Sequence, residues 1–201
     1  MPAPSDFYSF NFQSVFEWSA LVIVLISVAY AAIVIKNEKI SYLEDSLSIS
    51  IGLVQLFYPK WWGVSKSSDN EVLFQRHDTR YDWQGRLRVY SSTQTVESFL
   101  NSYLKEKQIE PDGSYGSFEK TTEVSYLIKN EKVQKSCESF LRLESVATEK
   151  NEERIYLDII LIKFKSELEK VYVFESKSSV LNGCVEGPYF EECIKMLRFV
   201  A

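Results

Sequence analysis

The chain has 201 residues, 45% hydrophobic and 25% charged, with a formal net charge of −5. All 23 basic residues lie after Ile35 together with 26 of the 28 acidic ones, so that portion carries about −3; this excludes generic nucleic-acid binding, which needs a basic surface to displace counterions, and gives no drive toward anionic lipid. Three cysteines, Cys137, Cys184 and Cys193, are too few for a disulfide scaffold and match no zinc spacing.

Residues 1–17 form an aromatic tail containing Phe7, Tyr8, Phe10, Phe12 and Phe16, a density typical of the headgroup interface. From Trp18 to Ile35 no charge occurs over 18 residues. At ~1.5 Å per residue such a helix spans roughly 27 Å, about one hydrocarbon core. A transmembrane helix over 18–35 is predicted, with lipid as its first partner. A cleaved signal peptide is disfavoured because residues 1–35 contain no Lys or Arg, and Ile33, Val34 and Ile35 continue the run past Ala29-Tyr30-Ala31. Lys36 and Lys39 follow the helix and no basic residue precedes it. The positive-inside rule therefore leans toward a cytoplasmic domain, with a periplasmic or otherwise extracytoplasmic one as the alternative.

Residues 36–46 are mostly polar and read as a connector; residues 47–201 read as one soluble domain. Leu47, Ile49, Ile51 and Leu53 alternate with small residues as in a half-buried strand. Pro59 ends it before Trp61-Trp62, the polar stretch Ser65 to Glu71 reads as a turn, and Val72-Leu73-Phe74 starts a return strand. In the next strand Leu87 and Val89 face one way and Arg86 and Arg88 the other. The period then changes: Val96, Phe99, Leu100, Tyr103 and Leu104 have helical spacing behind a Thr95 cap. Four strands are expected around Val124–Ile128, Cys137–Glu144, Ile155–Phe164 and Val171–Phe174, then a helix starting at Pro188. The class is α+β: an N-terminal transmembrane helix plus an antiparallel sheet of about seven strands with two packed helices.

Three features of this layout are Ile49-Ser50-Ile51, Pro59 followed by Trp61-Trp62, and the closing segment Phe190 to Phe199. In these the domain resembles the PsbP-like fold family, named for an extrinsic photosystem protein and shared with a Ran-binding nuclear import factor. The resemblance implies accessory and binding roles over catalysis. Nothing in the sequence carries over the chloroplast setting.

Arg76-His77-Asp78-Thr79-Arg80-Tyr81-Asp82-Trp83 is the most suggestive polar stretch and holds the chain's only histidine. A base at His77 oriented by Asp78 is disfavoured, since neighbours on a strand point to opposite faces. No G-x-S-x-G nucleophile motif occurs. A surface connection with Arg–Asp pairs, or a partner site using Arg76, His77, Asp78, Arg80 and Asp82, fits better. Trp61 and Trp62 either cap the core or mark a protein or membrane contact. Arg86, Arg88 and Tyr90 would rim any pocket between sheet and helix. Cys184 and Cys193 are near enough in sequence to pair in an oxidising compartment, with reduced, partly buried thiols as the alternative. No metal or cofactor is expected. The leading expectation is a non-enzymatic accessory or interaction subunit of a membrane complex, with a membrane protein as partner. A tethered ligand-binding domain is the alternative, and an enzyme centred on His77 comes last.

Overall fold

The computed structural model describes residues 12–76, 82–112, 119–150 and 153–200. It divides into two units, up to Asp45 and from Ser46 onward. The first is helix α1, Phe12–Glu44. Its 21-residue stretch Glu17–Asn37 has a mean hydropathy of 2.5 and no buried residue, so it is long and apolar enough to cross a membrane. The Ser27 hydroxyl donates to the Ile23 carbonyl at 2.8 Å, which keeps that polar group satisfied within the helix. Most of the expected connector continues the helix to Glu44, because residues 36–44 contain neither Gly nor Pro to break it.

The second unit runs β1 (Leu47–Ile51), β2 (Val54–Tyr58), β3 (Trp62–Ser68), β4 (Glu71–Arg76), β5 (Gln84–Ser91), α2 (Val96–Lys107), β6 (Ile109–Pro111) and β7 (Glu119–Thr121). It continues with α3 (Val124–Leu127), α4 (Glu131–Ser136), β8 (Cys137–Glu149), β9 (Glu153–Phe164), β10 (Lys170–Ser179), α5 (Val180–Lys195) and β11 (Arg198–Phe199). The main sheet has the order β3-β4-β5-β10-β9-β8-β6, with β7 also paired to β8; β1, β2 and β11 form a small second sheet. The pairings are antiparallel, as expected for the α+β class.

Helix α2 forms where its period placed it. The Thr95 hydroxyl accepts from the Ser98 amide at 3.3 Å, and Gln108 ends the helix in the left-handed region. Its Val96, Leu100, Tyr103 and Leu104 pack on Leu141, Leu143, Ile159, Leu161, Val171 and Val173 of one sheet face. On the opposite face Trp62, Phe74, Leu87 and Phe174 are buried with Trp83, and α5 packs across β9 and β10 there. Both faces of β9 are thus covered, which explains its nearly continuous apolar run.

Four expectations need correction. The strand over 47–53 is a hairpin: Ile51 pairs with Val54 across Gly52, whose φ is +53°. The turn over Ser65 to Glu71 is shorter, since β3 extends to Ser68 and pairs there with Glu71. The strand over Val124–Ile128 is the helical turn α3, followed by α4, where Asn130 accepts from the Lys132 and Val133 amides at 2.9 and 3.4 Å. Leu127, Ile128 and Val133 are the residues buried there, whereas alternation of Val124, Tyr126 and Ile128 on a half-buried strand would bury every second residue. Finally, α5 begins at Val180, with Pro188 inside it. The preceding residue is Gly187, which has no Cβ to collide with the proline ring; this removes one of the clashes an interior proline brings, while the N–H for the carbonyl four residues back is still lost.

Gly52 also lies close against the Tyr172 side chain. A Cβ there would lie 2.4 Å from the Tyr172 hydroxyl, which accepts from the Leu53 amide at 3.0 Å and donates to Glu167 at 2.7 Å. Gly52→Ala should therefore destabilise the domain by about 2–3 kcal/mol, from the left-handed conformation plus overpacking. Urea denaturation should show the loss shrinking in a Tyr172→Phe background, where the colliding oxygen is gone. Equal losses in both backgrounds would rule the collision out.

Candidate interaction site

The end of β4, the start of β3 and the middle of α5 converge at one edge of the sheet. Trp62 and Arg76 are register partners, so their side chains leave the same sheet face, the one covered by α5. There the Trp62 Nε1–H donates to Glu186 Oε2 at 2.8 Å, and Arg76 donates to and ion-pairs with Glu186 Oε1. Glu186 is fully buried, whereas Arg76 keeps about a quarter of its side chain exposed. Trp62 lies 4.3 Å from Trp83, centroid to centroid, and the Trp83 Nε1–H donates to the Ser176 hydroxyl at 2.8 Å. Asp82 accepts from the Ser179 amide at 2.9 Å and from its hydroxyl at 3.2 Å, tying the start of β5 to the start of α5.

Trp61, next in sequence, points outward. It is 43% exposed and sits edge-on to Tyr189 of α5 at 5.3 Å. The result is an aromatic pair at the surface beside a guanidinium held by a buried carboxylate. Trp, Tyr and Arg are the residue types that dominate protein interfaces.

The structure divides the residues singled out from the sequence. Trp61, Trp62, Arg76 and Asp82 belong to this edge; His77, Asp78 and Arg80 lie outside the described residues. Arg86, Arg88 and Tyr90 project from the opposite face, toward α2, because they are out of phase with Leu87. There Tyr103 donates to Glu175, Arg86 Nη1 lies 3.8 Å from Glu175, and Arg88 sits 4.6 Å from the Tyr90 ring centroid. Arg86 Nε is 3.4 Å from Glu71 but without hydrogen-bond geometry. Burial, together with Glu175, pushes the Tyr103 phenol well above its usual range.

The cysteine pairing is also corrected. Cys184 and Cys193 both lie on α5, nine residues apart. At ~1.5 Å rise their Cα atoms are roughly 13 Å apart, about twice the reach of a disulfide. Burial pushes the Cys137 thiol up to about 11, which makes it a poor nucleophile. Among the described residues no group of three His, Cys, Asp or Glu is placed to hold a metal ion.

Glu186, Ser176 and Tyr189 were not legible as site residues, and Trp83 was so only as the end of the polar stretch from Arg76. The one signal was Glu186 itself, a carboxylate close to the apolar residues Phe190, Cys193 and Ile194 of the same helix.

Fold and site together define an α+β domain with an antiparallel sheet covered on both faces by helices, weakly similar to the PsbP-like fold. Among solved structures, cyanobacterial PsbP from Synechocystis sp. aligns with a TM-score of 0.49 at 11% identity, over 77% of this chain and 92% of that one. A protein of unknown function from Pseudomonas aeruginosa aligns with a TM-score of 0.44 at 11% identity, over 75% and 94%. The Ran-binding protein Mog1p of Saccharomyces cerevisiae gives 0.42 at 8% identity, over 77% and 95%. A likeness of this degree carries no functional argument. No family model matches the chain, and no curated protein matches it.

Proposed function

We propose that this chain is a membrane-tethered interaction subunit that recruits a membrane protein partner, and that it is not an enzyme. The observation that carries the reading is the uncovered apolar helix. Over Glu17–Asn37 no residue is buried. Each exposed Leu, Ile or Val there forfeits about 1.5–3 kcal/mol in water, which a bilayer would restore. The unbroken continuation of α1 to Glu44 supports an uncleaved anchor over a signal sequence. Lys36 and Lys39 support a cytoplasmic domain. The Trp61–Tyr189 pair beside Arg76 supplies the surface for a protein partner.

The test has two arms, both on the full chain in its native membranes. Carbonate extraction should leave the protein in the pellet, and a C-terminal topology reporter should read the cytoplasmic side. A photoreactive amino acid at Tyr189 should then give one discrete adduct with a membrane protein, weakened at least ~10-fold by Trp61→Ala, the size of a hot-spot loss. Release by carbonate would end the anchor reading. Adducts with lipid alone, or none, would end the partner reading.

A further inference from the structure

The turn between β5 and α2 and the first residues of β8 enclose an open cavity of about 350 Å³, away from the Trp61 edge. Its lining includes Thr93, Thr95, Val96, Glu138, Ser139 and Lys163. Lys163 lies directly opposite Ser139 across the β8–β9 ladder, on the side of Leu141 and Leu161 that α2 covers. It is a buried lysine, 6% exposed. Its ammonium donates to the Ser92 carbonyl at 3.0 Å and to the Leu168 carbonyl at 2.9 Å. An ammonium has three N–H donors, and bonds to two carbonyls leave one donor over and no counter-charge bonded to it. Among the described residues no carboxylate pairs with Lys163, although buried lysines are almost always paired.

The same cavity meets the amino end of α2. Thr95 is the cap and Val96 the first helical residue, so the partial positive pole of a 12-residue helix opens where the ammonium lies. The ammonium and the helix pole both favour an anion in this hollow. Glu138, displaced to the exposed rim by the irregularity in β8 pairing, is the lining carboxylate and opposes such an anion.

We infer that this cavity binds a phosphate group, held by the third N–H of Lys163 and the Ser139 hydroxyl at the mouth of α2. A compact ammonium acts as a point charge on phosphate, and the space admits a small organic substituent as well. The inference stands apart from the partner surface and does not depend on it.

The test is a ³¹P NMR line-broadening titration of the full chain in non-ionic detergent, with inorganic phosphate in one arm and glycerol 3-phosphate in the other. Saturable broadening is expected in at least one arm. Lys163→Met should weaken it at least ~10-fold, and Glu138→Gln should tighten it by about 2–5-fold through removal of a like charge. Tighter binding of glycerol phosphate marks a headgroup as the source, and equal binding marks free phosphate. No saturable broadening up to about 50 mM, far above any useful site affinity, overturns the inference. So does unchanged affinity in Lys163→Met. Should that variant fail to fold, the decision passes to Glu138→Gln and Ser139→Ala, and wild-type affinity in both overturns the inference.

Discussion

Arg142→Met is expected to destabilise the domain by about 3–5 kcal/mol near neutral pH, the range for removing one partner of a buried ion pair. The guanidinium of Arg142 holds Asp158 through Nε at 3.0 Å and Nη2 at 2.8 Å, with both side chains nearly fully buried. Glu144 at 3.0 Å and Glu191 at 3.2 Å converge on the same nitrogen. Tyr156 donates to Glu144 from the neighbouring strand, and Lys195 pairs with Glu191 along α5. Without Arg142, Asp158 is left buried among like charges.

The loss should depend on pH. Burial raises the Asp158 carboxyl from its ordinary 3.8 to about 6; Arg142 holds it down, and Glu144 and Glu191 push it further up. A carboxyl raised in the folded state favours folding when protonated. Its contribution is complete below 3.8 and is lost as pH rises through about 6. Removing Arg142 moves that loss to higher pH. Glu191 runs the other way: burial raises it, but its bond to Lys195 and the charges of Lys195 and Arg142 outweigh this and lower it, so its contribution fades only in more acidic solution. Urea midpoints at about pH 5 and pH 7.5 should therefore show a small deficit for Arg142→Met at the lower pH and a large one at the higher. Arg142→Met/Asp158→Leu should recover most of the stability, since an apolar pair of similar volume replaces a buried ionic one without penalty. Equal deficits at both pH values, with no recovery in the double variant, would show that Asp158 is not the stranded charge.

Glu186→Ala should cost about 3 kcal/mol and loosen the edge that carries Trp61. It strands the Trp62 indole N–H, which is buried, and releases Arg76, which is exposed enough to regain water. A buried donor without an acceptor costs ~1–3 kcal/mol, and the deleted side chain leaves a cavity as well. Glu186→Gln keeps an acceptor for Trp62 and should lose about half as much. The close Trp62–Trp83 pair gives a direct readout, because near-UV circular dichroism reports the coupling of rings 4.3 Å apart. Glu186→Ala should flatten that signal while far-UV dichroism stays unchanged. An unchanged near-UV spectrum would mean that Glu186 does not position the indole.

Sequence alone determined the apolar helix, because eighteen uncharged residues permit few other fates. It also determined the strand-rich α+β class and α2, whose period, cap and basic last turn agree with one another. The end of β1 escaped because Leu53 continues the period of two; only the φ of Gly52, set by the pairing of Ile51 with Val54, turns the chain there. The segment 124–136 escaped because alternation over five residues is too short to outweigh burial against the rest of the domain. The site was legible in part: Trp61, Trp62, Arg76 and Asp82 could be singled out as polar or aromatic residues in a suggestive stretch. Their separation from Arg86, Arg88 and Tyr90 was a matter of strand phase, which needs the register. What only the tertiary structure decided was which charges are buried. Glu186, Asp158 and Lys163 stand close to apolar residues in the sequence, but only the closing of α5 and α2 over the sheet removes water from around them and makes their partners matter.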